Sequence, residues 1–409
     1  MRILDTSVVG RGARLCMLAS ISALICTAPV TTRAGPIYKI ACSGVQIASG
    51  TSADQIQQSV DAQPAGTVFC FASGTYVLNH YITLNEGHQF ICPVRRTCLL
   101  TGLDQYRGAL TARYGTSHHL IRGFVVERFI AVDGQWPLAG LQLRDYGVLE
   151  DNESRFNQTG VDIGSNQTIR GNFIHHNRRY GIAGGPGNNI LIEGNEVAWN
   201  NTSHYDPNED AGGSKIVGGR DGTNQLVWRR NHVHDNYGNG IWSDGNVRNA
   251  LYEDNLIENN GGAGIGHEIS WDAVIRSNAL RNNNTFEQGQ GRSCWHGSQI
   301  FVNNSQNVAI YGNTVESIGI NPICVANTSR TEPAMFPQAL ANISVRGNVI
   351  KMRGAVNVGM VGDTLPANVT FSGNIYYMDT GASFTYGNSM SLTQWRAAGH
   401  DVGGQFLTW

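Results

Sequence analysis

The sequence predicts an all-β solenoid of stacked coils, built as a single unit with a short N-terminal capping helix. Two observations predict it. A branched strand ending in Asn recurs as a marker: Ile169-Arg170-Gly171-Asn172, Ile192-Glu193-Gly194-Asn195, Trp228-Arg229-Arg230-Asn231, Tyr252-Glu253-Asp254-Asn255, Ile275-Arg276-Ser277-Asn278, Ile310-Tyr311-Gly312-Asn313, Val345-Arg346-Gly347-Asn348 and Phe371-Ser372-Gly373-Asn374. Successive markers lie 23, 36, 24, 23, 35, 35 and 26 residues apart, and a period of this size marks stacked repeats. The short gaps give the coil length; the long gaps are coils that carry insertions on the rim. The second observation is strict alternation of Ile and Val with polar residues, broken by Gly and Asn at corners, which is strand periodicity and not helical periodicity.

In chain order, residues 1–34 read as an export signal. Arg2, Arg11 and Arg14 precede an apolar run from Leu15 to Cys26, and a small-residue cleavage site follows near Ala34. The run is too short to span a bilayer, and Ile25 ahead of Cys26 argues against a lipid anchor. The mature chain is therefore expected to be secreted or periplasmic. Residues 35–75 read as an N-terminal cap. Ser52-Ala53-Asp54-Gln55 fits a capping box, Ile56 and Val60 share one helix face, and Pro64-Ala65-Gly66 ends the helix before the apolar strand Thr67–Phe71. A stack needs such a cover, because a bare end exposes strand edges and apolar core. Coils are expected over 76–385. Residues 386–409, with Leu392, Trp395, Phe406, Leu407 and Trp409, read as a C-terminal cap.

Six cysteines follow the signal, and an even number in an exported chain suggests disulfides. Proximity in sequence or in the repeat pairs Cys42 with Cys70, Cys92 with Cys98 and Cys294 with Cys324. Asn at a corner tolerates left-handed backbone, and stacked Asn side chains can bond along the stack. The sequons at Asn157, Asn327 and Asn368 are read as corner residues on the same ground. His175-His176 and His232-x-His234 recur at one position after the marker Asn, which favours a structural role over metal binding.

Charged residues make up only 15% of the 409 residues, and the formal net charge is −2. A basic footprint for nucleic acid is missing, so that class of partner is set aside. No segment after the signal is apolar enough to enter a membrane. A monomer is expected.

The repeat resembles the right-handed parallel β-helix proteins of the pectate-lyase-like superfamily. The resemblance spans residues 40–380. It rests on a G-N-x-[IV]-x-x-N pattern, as in Gly171-Asn172-Phe173-Ile174-His175-His176-Asn177, and on the capped entry ending Gly74-Thr75-Tyr76. It implies a single-stranded right-handed parallel β-helix. Its members include polysaccharide lyases, glycoside hydrolases, uronan epimerases and non-catalytic adhesins.

Alternation places chemistry on the outside of the coils. Aligning coils on the inward Ile or Val that follows each Gly gives the inward set Val161, Ile182, Ile216, Ile241, Ile265, Ile300 and Ile323. The first outward column then reads Asp162, Ala183, Lys215, Trp242, Gly266, Phe301 and Cys324. The second reads Gly164, Gly185, Val217, Asp244, Glu268, Asn303 and Ala326. Asp244 and Glu268 thus fall on adjacent rungs about 4.8 Å apart, a spacing at which two carboxylates are expected to have split pKa values. Gly164, Ala183 and Gly185 would leave a groove. Trp242 and Phe301 would offer stacking platforms to sugar rings, with Asp162 and Arg220 as further substrate contacts.

Three chemistries fit. The carboxylate pair suits glycoside hydrolysis. A pair of acids can instead hold Ca²⁺ against a uronate while Lys215 or Arg220 abstracts the C5 proton, which gives β-elimination or epimerisation. His267 would serve as acid or base in either scheme, although strict alternation points it inward. The insertion Asn200–Gly213 holds Asp206, Asn208 and Asp210 at a spacing that could bind calcium, and it resembles the Asp-Pro-His-Asp motif of mannuronan epimerases with Asn208 in the His position. The expected function is a secreted carbohydrate-active enzyme that cleaves a polysaccharide, by hydrolysis or elimination. The alternatives are a uronan C5-epimerase and a non-catalytic glycan-binding or attachment protein.

Overall fold

The structure, a computed structural model, describes residues 38–130, 139–286, 297–331, 333, 335–366 and 368–409. The expected export signal, with Cys16 and Cys26, lies outside the described residues. The strands stack into three long sheets of 13, 14 and 13 strands. Each coil contributes one strand to each sheet in turn, for example Ile241–Asp244 to sheet 1, Ala250–Glu253 to sheet 2 and Leu256–Glu258 to sheet 3. Neighbours within a sheet run parallel, as in the pairing of Ile241–Asp244 with Ile265–Glu268. A terminal hairpin, Phe384 against Met390, is antiparallel. Pairing already begins ahead of residue 76, because Val45–Ile47 pairs with Val68–Phe71 in sheet 2.

Inward residues form one continuous core along the axis. Its middle is mostly aliphatic, with Trp228 and Tyr252 as buried exceptions, and its ends are aromatic. Phe71 packs at 5.0–5.3 Å against Tyr76, Phe90 and Phe124 at the start. Phe384 stacks at 4.8 Å on Trp395 at the finish. Helix Ala53–Asp61 carries the expected Ser52/Gln55 capping box and buries Ala53, Ile56 and Val60. A second capped helix, Leu392–Ala397, starts at Ser391 and buries Trp395.

The corners are built from Asn. Asn152, Asn172, Asn195, Asn231, Asn255, Asn278, Asn313, Asn348 and Asn374 form a ladder in which, from Asn172 onward, each side-chain oxygen accepts the backbone N–H of the Asn one coil earlier, at 2.9–3.1 Å. Asp401 supplies the last acceptor, 3.2 Å from the Asn374 N–H. The residue before each marker Asn is left-handed, with φ of 60–65° at Gly171, Gly194, Gly312, Gly347 and Gly373. Glycine adopts that region without steric cost, which explains the Gly-Asn in the marker. A second ladder runs through Asn157, Asn177, Asn200, Asn236, Asn260 and Asn283, and it ends on Gln299. The sequon residue Asn157 is a rung of it. Asn327 is buried and bonded to Thr364, whereas Asn368 sits in an exposed outer ladder, bonded to Asn342.

Disulfides join Cys42 to Cys70 and Cys92 to Cys98. Cys324 is also disulfide-bonded; its expected partner, Cys294, lies outside the described residues. The histidines on sheet 3 pair with acids: His175 with Glu153 at 3.3 Å, His232 with Glu258 at 2.9 Å and His234 with Glu196 at 3.3 Å.

One inward assignment needs correction. Ser214, not Ile216, pairs with Ile182, and Ile216 pairs with Gly184 and Ser243 in the next inward column. The small Gly212-Gly213-Ser214 run enters the coil where an Ile enters its neighbours, so counting from the first Ile after Gly shifted this strand by two. A shift of two keeps the same face inward, and the outward columns are unaffected.

Candidate active site

The outward face of sheet 1 is assembled from Tyr180–Gly184, Gly212–Val217, Ile241–Asp244, Ile265–Glu268, Ser298–Asn303 and Asn321–Asn327, stacked in that order. Both outward columns fall in register. Ala183 pairs with Lys215, Val217 with Asp244, Asp244 with Glu268 and Glu268 with Asn303.

The two carboxylates lie on adjacent rungs, Asp244 paired with Glu268. Each has its own cation. Lys215 Nζ lies 3.1 Å from Asp244 Oδ2, and Arg330 lies 2.5 Å from Glu268 Oε1. Each carboxylate of the expected pair thus faces a cation of its own across the column. They differ in access. Lys215 and Asp244 keep 13% and 19% of their side-chain surface, while Glu268 keeps 3%. Glu268 also accepts from Trp242 Nε1 at 3.1 Å and Asn303 Nδ2 at 3.4 Å. It is a buried, fully engaged carboxylate.

Lys215 is held from three sides. Besides Asp244, its Nζ donates to the Glu209 carbonyl at 2.5 Å and sits 3.7 Å from the centre of the Trp242 ring. The insertion that carries Glu209 is thereby pinned over this part of the face. Two rungs away in the same column, Asp162 accepts a short hydrogen bond from Gln142. Burial pushes its carboxyl up to about 6, against the opposing effects of Gln142 and the Arg144 charge. A carboxyl that takes up its proton at about pH 6 rather than 4 therefore lies on the face that carries the Lys215–Asp244 pair.

Residues 135–268 and 221–398 each match the family model described as the right handed beta helix region. The chain belongs to the right-handed β-helix family. No curated protein matches it. Among solved structures, this β-helix is similar to the A-module of a mannuronan C-5 epimerase from Azotobacter vinelandii, at 18% identity and a TM-score of 0.64, covering 88% of this chain and 96% of that one. It is similar to the catalytic unit of an α-1,3-glucanase from Streptomyces thermodiastaticus, at 13% identity and 0.66, covering 92% and 70%. A periplasmic alginate epimerase gives 15% and 0.55, covering 88% and 85%. Likeness at these identities establishes the shared fold.

Several expected site residues of this β-helix lie elsewhere. His267 faces the core and is fully buried. Its Nδ1 is 3.1 Å from Tyr252 Oη, which donates to Ser243 at 2.6 Å, and burial lowers its pKa to about 3. It does not reach the outward face, because no bulge reverses the alternation along Ile265–Glu268. Trp242 and Phe301 point outward but are only 2% and 1% exposed, and with Ala263 they form a small apolar cluster. They are not open platforms: Lys215 covers Trp242, and Phe301 fills the space left at Gly266, where a Cβ would lie 2.3 Å from its ring. Gly164 and Gly185 are likewise occupied, since a Cβ there would lie 1.5 Å from the Arg144 carbonyl and 2.1 Å from that of Val217.

The calcium candidates do not converge. Asp206 Oδ1 accepts from the Asn208 N–H at 2.9 Å, as in a tight turn, and Asp210 is engaged by Arg179 and Tyr180. No group of three or more His, Cys, Asp or Glu side chains fit for a metal occurs among the described residues. Arg220 lies at the corner beyond Val217, where it lines a separate surface hollow. Arg330 was missed by sequence reasoning. It lies beyond the end of the sheet 1 strand Asn321–Asn327, outside the alternating pattern, so no count of alternate residues could bring it to Glu268.

Proposed function

We propose that this β-helix is an exported enzyme that acts on a polysaccharide lying across the outward face of sheet 1. The observation that carries the reading is the partly accessible Lys215–Asp244 ion pair, held under the Glu209 carbonyl. Lys215 is the proton-transferring or carboxylate-gripping group, and Asp244 orients it. Glu268, Arg330, Trp242 and Asn303 form the buried support. The neighbours whose names specify polysaccharide substrates, an epimerase of mannuronan and an α-1,3-glucanase, agree with this substrate class.

An ammonium held beside Asp244 can neutralise a uronate carboxylate and so acidify the C5 proton, which favours elimination or epimerisation of a uronic acid. Hydrolysis needs a protonated acid opposite a carboxylate, and each member of the Asp244–Glu268 pair faces a cation instead. Asp162 is the proton donor that a hydrolytic route, or protonation of a leaving group, would use.

Product analysis of residues 35–409 on neutral and uronic acid polysaccharides tests the reading. Unsaturated uronate absorbance identifies a lyase, altered C5 configuration without cleavage an epimerase, and new reducing ends without absorbance a hydrolase. Lys215→Gln and Asp244→Asn should each lower turnover by about a hundredfold or more, the usual scale for a positioned proton-transfer group. Binding without product on every substrate would make the protein an attachment module instead.

A further inference from the structure

Sheets 1 and 2 meet at a corner that holds a hollow of about 500 Å³, within the size range of small-ligand sites. It opens directly beyond Val217 and Asp244, at the far end of the strands that carry Lys215 and Asp244. Its floor is a line of outward side chains on three successive rungs of sheet 2: Asn188 pairs with Asn224, and Asn224 with Arg248. Its wall is the turn Gly218–Gly222, closed by the Gly222 N–H on the Gly218 carbonyl at 2.9 Å. The buried Asn246 amide secures that turn by donating to the carbonyls of Gly219 at 2.9 Å and Arg220 at 3.3 Å.

The arginines set the chemistry. Arg248 is already ordered: its Nε donates to Asn246 Oδ1 at 2.9 Å and its guanidinium lies 4.3 Å from the centre of the Trp271 ring. Arg220 is exposed on the rim beside Asp221. Among the described residues no salt bridge engages Arg220 or Arg248. Elsewhere on sheets 2 and 3 the pattern differs, with Arg229 on Glu193, Arg276 on Glu253 and Arg281 on Glu258. Two guanidinium groups without a carboxylate, less one rim acid, leave the lining net positive. A guanidinium presents two parallel donors to a carboxylate, and amides on adjacent rungs present donors and acceptors to hydroxyls.

We propose that this hollow is a second binding site, which takes an acidic saccharide unit of the chain that runs over Lys215 and Asp244. The choice of occupant rests on the polysaccharide reading above. The site extends that reading from the reacting unit to a recognition unit one strand-length away, and it makes the protein selective for uronate-containing chains.

The test is calorimetric binding of uronic acid tetrasaccharides and neutral glucose tetrasaccharides to the mature chain, together with turnover on the parent polysaccharides. The proteins compared are the wild type, R220Q and the double variant R220Q/R248Q. The double variant should bind the acidic ligand about tenfold more weakly or worse and leave neutral binding unchanged. On an acidic substrate it should raise KM with kcat held within about twofold, as expected when uniform binding is removed. R220Q alone removes no described contact, so it reports the same direction without a folding risk. Equal acidic affinity in all three proteins, or no acidic binding by the wild type, overturns the site. Turnover that survives with arginine-independent binding sinks this proposal and leaves the enzyme reading. Arginine-dependent acidic binding without any product does the reverse.

Discussion

His267 is a titratable group sealed inside the coil stack, and its chemistry is expressed in stability. Burial holds its pKa at about 3, well below the ordinary value of 6.5. The unfolded chain takes up a proton below pH 6.5 that the folded chain refuses until about pH 3. The stabilisation from keeping His267 neutral is therefore complete above pH 6.5 and is lost progressively as the pH falls. By pH 4.5 the loss is about 3 kcal/mol, two pH units at 1.36 kcal/mol each. Asp162, raised to about 6, acts in the opposite sense: its contribution is present below pH 4 and is lost as the pH rises through 6. Comparing wild type with His267→Gln cancels the Asp162 part. Urea unfolding at pH 7.5 and 4.5 should show a smaller acid loss in the variant, and identical losses would mean that His267 is charged in the folded state. At this scale the sequence revealed which way each strand residue points, including the inward direction of His267. It did not reveal what covers Trp242 and Phe301 or what neutralises Glu268. Those depend on residues from other coils, such as Lys215 above Trp242 and Arg330 beside Glu268.

The coil corner is the element that the sequence spelled out most openly. The marker Asn residues repeat because each has the same work. Asn255 Oδ1 accepts from the backbone and side-chain nitrogens of Asn231, and Asn255 Nδ2 donates to the Trp228 carbonyl and to Asn278 Oδ1, all at 2.9–3.0 Å and all buried. Asn282 belongs to a surface ladder, with a 2.6 Å bond to Asn259 in open solvent. Asn255→Ala strands several buried polar groups, at about 1–3 kcal/mol each before relaxation. It should cost about 3 kcal/mol or more, whereas Asn282→Ala should cost only about 1 kcal/mol, from the left-handed backbone (φ 51°) that Asn tolerates better than Ala. Equal midpoint shifts in urea would remove the ladder from the account of stability. The same periodicity brought Asp244 and Glu268 together by counting alone, because a parallel stack repeats its register from coil to coil. Counting faltered at Ile216 for a local reason: Gly212-Gly213-Ser214 follows an insertion, and nothing in that composition says where the strand re-enters the register.

Along the whole molecule, each coil touches mainly its neighbours, so stability is close to a sum of coil terms and interfaces. The last interface is closed by one carboxylate. Asp401 Oδ1 accepts from the Asn374 backbone at 3.2 Å and side chain at 2.7 Å, and Oδ2 accepts from Tyr376 at 2.7 Å and Trp395 Nε1 at 2.9 Å. It ends the Asn ladder and fixes the capping helix through the buried Trp395 in the same step. Asp401→Ala should release the helix and expose the aromatic end of the core around Tyr376, Phe384 and Trp395. In a one-dimensional stack that damage decays with distance from the end. Hydrogen exchange in the variant should speed up at 369–408 and remain protected at 160–286, where the Lys215–Asp244 pair lies. Turnover should survive at temperatures where the C-terminal coils have frayed. A uniform loss of protection along the chain would mean that the coils unfold as a single cooperative block and that the cap governs the site from a distance.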